Sequence, residues 1–298
     1  MFVSSRFVYL ELQKTGTTHI RRLLRENLGG TTIGKHNPIT PDLLDGSRVV
    51  LGSIRDPWEW YVSLWAFGCD HRGDLYRAAT HDRRMRGHGW RSDARRAAAR
   101  LAAEFRRRPE EWRRTYTDAD DADAFRRWLT LVLGDRLPYQ MYEYGAPSLG
   151  RLVGFMSYRY LNVYCGRAGD PGALTRLDSY EAVRAFEREH NAVDLFIRKE
   201  SLEETLIDAL HRSGAALTEA QVEAIRSHRR LNTSSRRRET RDFYDAGSAA
   251  LVGEADRIIV DRFGYTSPLA PAPAGVPAPG FVELARTQGE SPAGAQPA

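Results

Sequence analysis

The sequence predicts an α/β fold in which a central parallel sheet is flanked by helices on both faces. Two β-prone apolar runs, at 7–12 and 48–54, each lead through a short turn into a segment with helical spacing. Strand, turn and helix repeated in this order are typical of α/β domains. With 298 residues, of which 42% are hydrophobic and 28% charged, the chain can bury a full core.

The first two helices have recognisable ends. The first is predicted over about 17–28 and stops at Gly29-Gly30, a pair suited to a helix C-terminus. A short β-prone run at 31–33 precedes the second strand. The second helix is predicted to open at Pro57, because the fixed φ of proline suits a first helical position.

The carboxyl-terminal half continues the alternation of strands and helices. Residues 194–198 have strand character, and an amphipathic helix is predicted over about 201–213. Thr218 and Gln221 have the spacing of a capping box, which opens another helix. A polar loop at 232–238 precedes a last predicted helix. Its apolar side carries Leu251, Val252, Ala255, Ile258 and Ile259.

We predict one domain over 1–266, with a helical, Arg-rich insertion at about 70–135 and a disordered Pro- and Ala-rich tail at 267–298. Within the insertion, 92–108 is expected to form an exposed helix. The stretch 137–165 is rich in tyrosine, and both core packing and a binding pocket are consistent with it. The aromatic candidates for such a pocket are Trp90, Tyr139, Tyr142, Tyr144, Tyr158 and Tyr160.

The net charge of +5 comes almost entirely from arginine, since lysine occurs only at positions 14, 35 and 199. Acidic residues are interspersed with the arginines, as at 118–123, so the sequence has no continuous basic stripe. A nucleic-acid partner is therefore not expected, whereas a basic balance suits an anionic cofactor.

Features that the sequence lacks predict the cellular compartment of the protein and whether it binds a metal. Two cysteines cannot form a disulfide framework, and no Cys/His spacing is typical of zinc, so no metal is expected. No apolar run approaches the roughly 18 residues of a membrane helix. The first residues also lack the apolar region of an export signal. We expect a cytoplasmic protein without a membrane span.

The turn after the first strand, Gln13–Thr18, has the composition of an anion-binding loop. A strand that feeds a short loop and a helix N-terminus directs backbone N–H groups and the helix dipole at one point. Gly16 lets the backbone approach a ligand closely, while Thr17 and Thr18 add hydroxyl groups. Lys14 adds a positive charge. The loop differs from the phosphate loop of ATPases, because its lysine precedes the glycine and no glycine opens it.

A second candidate anion contact follows the second strand, where Arg55-Asp56-Pro57 is followed by Ser63, eight residues after Arg55. The carboxyl ends of parallel strands lie along one edge, so Arg55 and Lys14 are expected to face the same crevice. An arginine fork with a nearby hydroxyl suits a phosphate. Two separate contacts indicate a ligand with phosphates at two positions rather than a linear triphosphate. Asp56 is expected to contact the helix N-terminus.

These two segments resemble the signatures by which sulfotransferases bind 3′-phosphoadenosine 5′-phosphosulfate (PAPS). The segments 232–236 and 260–265 are also similar to C-terminal regions of bacterial and carbohydrate-type members. The resemblance covers residues 7–66 and 194–265 and leaves the middle unmatched. One departure is Gln13, which stands where proline is commoner. The resemblance implies a P-loop-like three-layer fold whose insertion lies near the acceptor side.

The resemblance also implies a role for each motif residue. Lys14 would stabilise charge on the bridging oxygen as the sulfuryl group leaves. The 5′-phosphate would be held by Thr15, Gly16, Thr17 and Thr18. The 3′-phosphate would be held by Arg55 and Ser63, with help from Arg236. PAPS would be a co-substrate used without metal, and the acceptor would be a hydroxyl of a saccharide or an aromatic secondary metabolite.

The acceptor hydroxyl needs a base, and His36 is the first candidate. It lies in Gly34-Lys35-His36-Asn37-Pro38 between the two motifs, and many sulfotransferases use a histidine in such a context. Glu11 on the first strand is the second candidate, because some carbohydrate members use a glutamate. A simple loop position for His36 also remains open.

Two other functions compete with the sulfotransferase interpretation. A P-loop-type kinase using ATP is disfavoured by the missing first glycine and by the arginine–serine pair. An Arg-rich, non-enzymatic module that binds nucleic acid or anionic polysaccharide would show steep salt dependence. The acceptor, the residues around the adenine and the oligomeric state stay open.

Overall fold

The computed structural model describes residues 1–81, 109–134, 149–166, 173–228 and 236–271. These residues form a mixed α/β fold with five strands and twelve α-helices. The strands are β1 (Phe2–Val3), β2 (Phe7–Tyr9), β3 (Thr31–Thr32), β4 (Val49–Ile54) and β5 (Leu195–Arg198). The helices are α1 (Thr17–Asn27), α2 (Pro57–Cys69), α3 (Asp74–Thr80), α4 (Pro109–Arg113), α5 (Ala122–Leu133), α6 (Leu149–Leu152), α7 (Phe155–Tyr164), α8 (Tyr180–His190), α9 (Leu202–Arg212), α10 (Glu219–Ser227), α11 (Ala246–Ala255) and α12 (Arg257–Phe263).

The strands form a single sheet in the order β3-β1-β2-β4-β5. Strands β2, β4 and β5 are parallel, in the register Tyr9↔Leu51 and Leu51↔Leu195. Strand β1 is antiparallel to both β2 and β3. The predicted parallel sheet is thus confirmed for β2, β4 and β5, whereas the pairs β1–β2 and β1–β3 are antiparallel. Only three residues join β1 to β2, which permits a hairpin but not the crossover that a parallel pair requires.

Side chains alternate between two apolar cores on the two faces of the sheet. On one face, Phe7 and Tyr9 of β2 and Leu51 of β4 pack with helices α1, α9 and α10. On the other, Val8 and Val50 pack with the aromatic residues of α2, α5 and α7. The expected helices on both faces are present because each strand is apolar on both sides.

The described part of the predicted insertion belongs to the core. Trp112 of α4 is 3% exposed, and Phe125 and Trp128 of α5 are fully buried. The Phe125 ring contacts the rings of Trp65 of α2 and of Trp128, and Trp112 belongs to the same apolar core, so 109–134 packs into this core rather than standing apart from it. The predicted helix at 92–108 lies outside the described residues.

The aromatic-rich stretch is divided by the limits of the described chain. Trp90, Tyr139, Tyr142 and Tyr144 lie outside it. The two tyrosine candidates inside it are buried: Tyr160 donates to Glu187 Oε1 at 2.7 Å, and Tyr158 is 6% exposed. For these two residues the structure matches the core-packing alternative.

Two carboxyl-terminal predictions have different outcomes. The capping box is confirmed, since Thr218 caps the Gln221 N–H of α10 while the Gln221 side chain accepts from the Thr218 N–H. The last helix was predicted as one element, but it is divided at Asp256 into α11 and α12. The predicted tail at 267–298 is described only as far as residue 271. Among the described helices, none is long and apolar enough to cross a membrane.

Candidate functional site

Three parallel strands each deliver a basic side chain at the same edge of the sheet. Arg55 directly follows β4 and Lys199 directly follows β5, in adjacent register because Ile54 pairs with Arg198. Lys14 lies on the loop that follows β2. Helix α1 leaves this edge toward one apolar core and α2 toward the other. Such a reversal between neighbouring strands opens a crevice at their carboxyl ends.

Hydrogen bonds between buried hydroxyl groups fix the loop at 13–18 to strands β2 and β4. Thr15 is fully buried, and its Oγ1 donates to the Leu12 carbonyl at 2.7 Å and lies 2.6 Å from Ser53 Oγ. Ser53 Oγ also lies 2.8 Å from the hydroxyl of Tyr9, which ties β2, β4 and the loop together. The Thr15 hydroxyl therefore fixes the loop, and its backbone N–H is the group that remains for a ligand.

Gly16 is required by both backbone conformation and space. Its φ is +87°, in the left-handed region that favours glycine. A Cβ at this position would lie 2.7 Å from Leu202 Cδ1 and 3.1 Å from Lys199 Cδ. The stem of Lys199 thus packs directly over the loop, which places a second lysine beside the start of α1.

Helix α1 begins at this loop with unpaired donors. Gly16 is its N-cap and has no side chain to accept from the first turn. Among the described residues, the N–H groups of Thr17 and Thr18 have no protein acceptor. The Thr18 side chain is exposed and Thr17 is 5% exposed. The first turn therefore presents backbone donors and the positive end of the helix dipole to the crevice.

Lys14 lies in a crowded basic environment. Its φ is +64°, and its Nζ lies 4.1 Å from the centre of the Phe67 ring, which Arg72 also approaches at 4.7 Å. Burial, together with the positive charges of Arg55 and Arg72, lowers the Lys14 pKa to about 7, against an opposing effect of Asp70. An ammonium in such surroundings is stabilised by a bound anion.

Arg55 connects the two predicted anion contacts. Its Nη1 donates to the Lys14 carbonyl at 2.9 Å, and its Nη2 donates to Glu59 Oε1 at 2.6 Å. Arg55 as a whole is 8% exposed, and its Nε is buried without a hydrogen-bond partner among the described residues. The guanidinium therefore has a buried donor, Nε–H, still to satisfy.

Arg236 meets Arg55 at the same carboxylate. Its Nη2 lies 3.5 Å from Glu59 Oε1, and its Nη1 donates to Thr240 Oγ1 at 3.2 Å. The structure thus brings together Arg55 and Arg236, although they are 181 positions apart in the chain. Ser63 lies one turn beyond Glu59 on α2 and is 8% exposed.

Asp56 caps α2 as predicted. Its Oδ1 accepts from the Glu59 N–H at 2.8 Å, and its own N–H donates to Glu200 Oε1 at 2.7 Å. Burial raises the Asp56 pKa to about 7, and the negative charges of Glu200 and Glu59 act in the same direction. The cap orients the first turn of α2, which carries Glu59 toward Arg55.

His36 is fixed to the segment that precedes the loop. Its Nδ1 lies 2.8 Å from the Glu11 carbonyl oxygen, which can only accept, so Nδ1 carries the proton. Burial, and then the charges of Lys35 and Arg159, lower the His36 pKa to about 4 against the Glu11 hydrogen bond. The ring is therefore neutral near pH 7, and its Nε2 carries a lone pair able to accept a proton.

The Glu11 carboxylate does not match its predicted role as an alternative base. It is fully buried, and Arg21 Nη1 donates to its two oxygens at 3.2 and 3.1 Å. The carboxylate is thus held by α1, and only its backbone carbonyl serves the site, through His36.

The crevice at the strand ends is distinct from two shallow clefts elsewhere. A cleft of about 610 Å³ lies between β1, β3 and the end of α1, and one of about 330 Å³ lies at the beginnings of β4 and β5. Neither is lined by Lys14, Arg55 or Lys199. Within the described ranges, no group of three or more His, Cys, Asp and Glu side chains could hold a metal ion.

The sequence analysis missed two residues of the candidate site, Lys199 and Glu59, although their positions in the sequence could have indicated both. Lys199 follows a strand that was predicted at 194–198, so the rule applied to Lys14 and Arg55 also applied to it. Glu59 lies four residues after Arg55, a spacing at which opposite charges meet on a helix.

A comparison of the chain with protein-family models, with curated proteins and with solved structures found no match.

Proposed function

We propose that this chain is a sulfotransferase, which moves a sulfuryl group from PAPS to a hydroxyl within a P-loop-like three-layer fold. The observation that carries the proposal is the 2.9 Å hydrogen bond from Arg55 Nη1 to the Lys14 carbonyl. It joins the loop at a helix N-terminus to an arginine pair, so the two candidate anion contacts are in direct contact with each other. Two adjacent anion contacts suit a donor that carries phosphate groups at both the 5′ and the 3′ position of one ribose.

The proposed donor contacts follow from the two elements. The 5′-phosphosulfate would lie against the loop at 13–18, near Lys14 and the first N–H groups of α1. The 3′-phosphate would lie against Arg55 and Arg236, whose forked donors suit a phosphate. Lys199 would add a further positive charge beside Gly16. Four basic side chains would balance the charge of the donor.

The proposed reaction is a direct transfer of the sulfuryl group, in which one S–O bond breaks and another forms. The bond between sulfur and the bridging oxygen of the donor breaks, and a bond between sulfur and the acceptor oxygen forms. The leaving group is adenosine 3′,5′-bisphosphate, and the Lys14 ammonium would stabilise the charge that develops on its oxygen. The acceptor hydroxyl gives its proton to His36, whose Nε2 holds the available lone pair.

Isothermal titration calorimetry of the intact protein tests the donor site. Adenosine 3′,5′-bisphosphate should bind in the micromolar range or better without magnesium, since the protein supplies the positive charge. The variant Arg55→Ala should weaken that binding, whereas Glu110→Gln, at an exposed position on α4, should leave it unchanged. If ATP with magnesium binds far more tightly than the bisphosphate, the P-loop kinase alternative is correct instead.

Turnover is tested separately with labelled PAPS and a panel of aromatic and saccharide alcohols. Transfer of the labelled sulfuryl group to at least one acceptor is expected, and Lys14→Ala should reduce it by orders of magnitude. Bisphosphate binding without transfer to any acceptor in the panel would argue against an enzyme and favour a binding module.

A further inference from the structure

The site contains an anion of its own. Glu59 Oε1 accepts from Arg55 Nη2 at 2.6 Å and lies 3.5 Å from Arg236 Nη2. Both guanidinium groups therefore meet one carboxylate oxygen. The Glu59 side chain is 32% exposed, while those of Arg55 and Arg236 are 10% and 13% exposed. The carboxylate is thus more exposed to solvent than either of the two cations that it contacts.

The carboxylate leaves the arginine pair incompletely satisfied. Arg55 has five N–H donors, and its Nε is buried without an acceptor among the described residues. A buried donor without a partner costs free energy, which a ligand with more acceptor oxygens recovers. A phosphate offers three such oxygens and a second negative charge, whereas Glu59 offers one carboxylate.

Glu59 is also ionised in the empty site. Burial alone would favour its protonated form, but the charge and hydrogen bond of Arg55, with Arg236 and Lys199, keep the pKa below its ordinary value. A phosphate that approached both arginines would therefore meet a negative charge at the same place. The two anions repel each other at this distance, so one of them has to leave.

We infer that Glu59 is a displaceable counter-ion: its carboxylate holds the Arg55–Arg236 pair in the empty protein and competes with the terminal phosphate of the ligand. This inference rests on the proposed function, because it identifies the 3′-phosphate as the competing group. Glu59 is a positioning residue, since it acts on the ligand through the two arginines. The competition lowers the affinity for the bisphosphate product and speeds its release.

The variant Glu59→Gln keeps the shape of the side chain and removes its charge. Adenosine 3′,5′-bisphosphate should bind this variant about tenfold more tightly than the wild type, because the neutral amide no longer repels the phosphate. Adenosine 5′-monophosphate lacks the 3′-phosphate, so its affinity should stay unchanged. Glu110→Gln, which removes an equal charge from an exposed position on α4, should change neither affinity.

Three outcomes overturn the inference: weaker bisphosphate binding in Glu59→Gln, no change, or an equal gain for both nucleotides. If circular dichroism shows that Glu59→Gln is not folded, the affinities of Glu59→Asp are measured instead. It keeps the charge on a shorter side chain that reaches the arginines less well, and a gain of smaller size is expected. Failure of the wild type to bind the bisphosphate refutes the proposed function, whereas binding that weakens in the variants refutes only the role of Glu59.

Discussion

In the proposed function, Lys14 is a group whose protonation changes when the donor binds. Its pKa of about 7 in the empty protein arises from burial and from the neighbouring charges of Arg55 and Arg72. A bound phosphate supplies the missing negative charge and raises that pKa again. Above pH 7, binding must therefore take up a proton, and affinity must fall as the pH rises.

This linkage predicts a proton uptake that calorimetry can measure. Binding of adenosine 3′,5′-bisphosphate at pH 7.5, measured in two buffers of different ionisation enthalpy, should take up about half a proton or more. Lys14→Met should lose that part of the uptake and leave only the contribution of the ligand. Equal proton uptake in the wild type and in Lys14→Met would contradict the assignment.

His36 predicts the acid limit of the reaction. Its pKa of about 4 keeps the ring neutral through most of the pH range, so protonation should remove the base only as the pH falls toward 4. The rate of transfer should therefore show no loss from His36 between pH 7 and 5. His36→Gln should remove turnover and leave bisphosphate binding near that of the wild type. Unchanged turnover in this variant would eliminate His36 as the base.

The sequence predicted where the basic residues lie in the fold better than it predicted which side chains they contact. Strand ends were enough to place Lys14 and Arg55 at one edge, because parallel strands carry their carboxyl ends together. The meeting of Arg236 with Glu59 depends on a contact between segments far apart in the chain. Local periodicity contains no information about such a contact. Glu11 failed for a related reason, since its partner Arg21 lies on a helix that folds back over β2.

At the scale of elements, the loop between β2 and α1 carries a measurable conformational cost. Gly16→Ala should destabilise the protein by about 1–2 kcal/mol from the left-handed backbone, and further from the contacts with Leu202 and Lys199. Gly29→Ala is a matched control, because its φ is +62° and a Cβ there would meet nothing within 4 Å. Denaturant unfolding of the two variants measures the difference.

The same pair separates stability from binding. Gly16→Ala should also weaken bisphosphate binding, because its new Cβ pushes against the stem of Lys199 over the loop. Gly29→Ala lies at the other end of α1 and should bind normally. If both variants lose equal stability and bind equally well, the close packing over Gly16 has no functional importance.

Elements with strong periodicity were predicted within a few residues, as for α1, β4 and α9. The strands β1 and β3 have two residues each, too few for a periodic pattern to indicate their direction. The break between α11 and α12 was missed for a different reason. Asp256 is fully buried, where its Oδ2 accepts from the Tyr61 hydroxyl at 2.6 Å, and this tertiary contact interrupts an otherwise continuous apolar face.

Across the whole molecule, many arginines are balanced by acidic neighbours. Ion pairs at a spacing of three or four residues join Arg22 to Glu26, Arg77 to Asp74, Arg113 to Glu110, Arg126 to Asp123 and Arg257 to Asp261. These pairs leave little continuous positive surface on the described part of the chain. The net charge of +5 therefore overstates the attraction for a long polyanion.

This distribution predicts a contrast between two ligands in salt. At about 0.15 M salt, where surface charges are screened over about 8 Å, binding to a DNA duplex should be lost. Binding of adenosine 3′,5′-bisphosphate should persist, because its proposed partners are less screened: Arg55 is buried and the Arg236 side chain is 13% exposed. Fluorescence anisotropy with both labelled ligands measures the contrast. Tight duplex binding at this salt concentration, without nucleotide binding, would favour the polyanion-binding module.

The overall layering was predictable because it depends on runs of apolar residues that each strand needs on both faces. The arrangement of the site around its own carboxylate was not, since it depends on three side chains whose contacts only the folded chain brings about. Sequence spacing indicated two anion contacts. The packing of Arg55 against the Lys14 carbonyl joined them.

The pairing of β4 with β5 also affects how the protein is made. Strand β4 and the beginning of β5 are 144 positions apart, as in the hydrogen bond from the Val50 N–H to Asp194. A ribosome needs about ten to thirty seconds to synthesise such a length. Until then β4 has an open edge and Lys199 does not yet exist, so the crevice is among the last parts of the molecule to be completed. The nascent chain consequently passes through an interval in which an unpaired apolar strand is open to association with other chains.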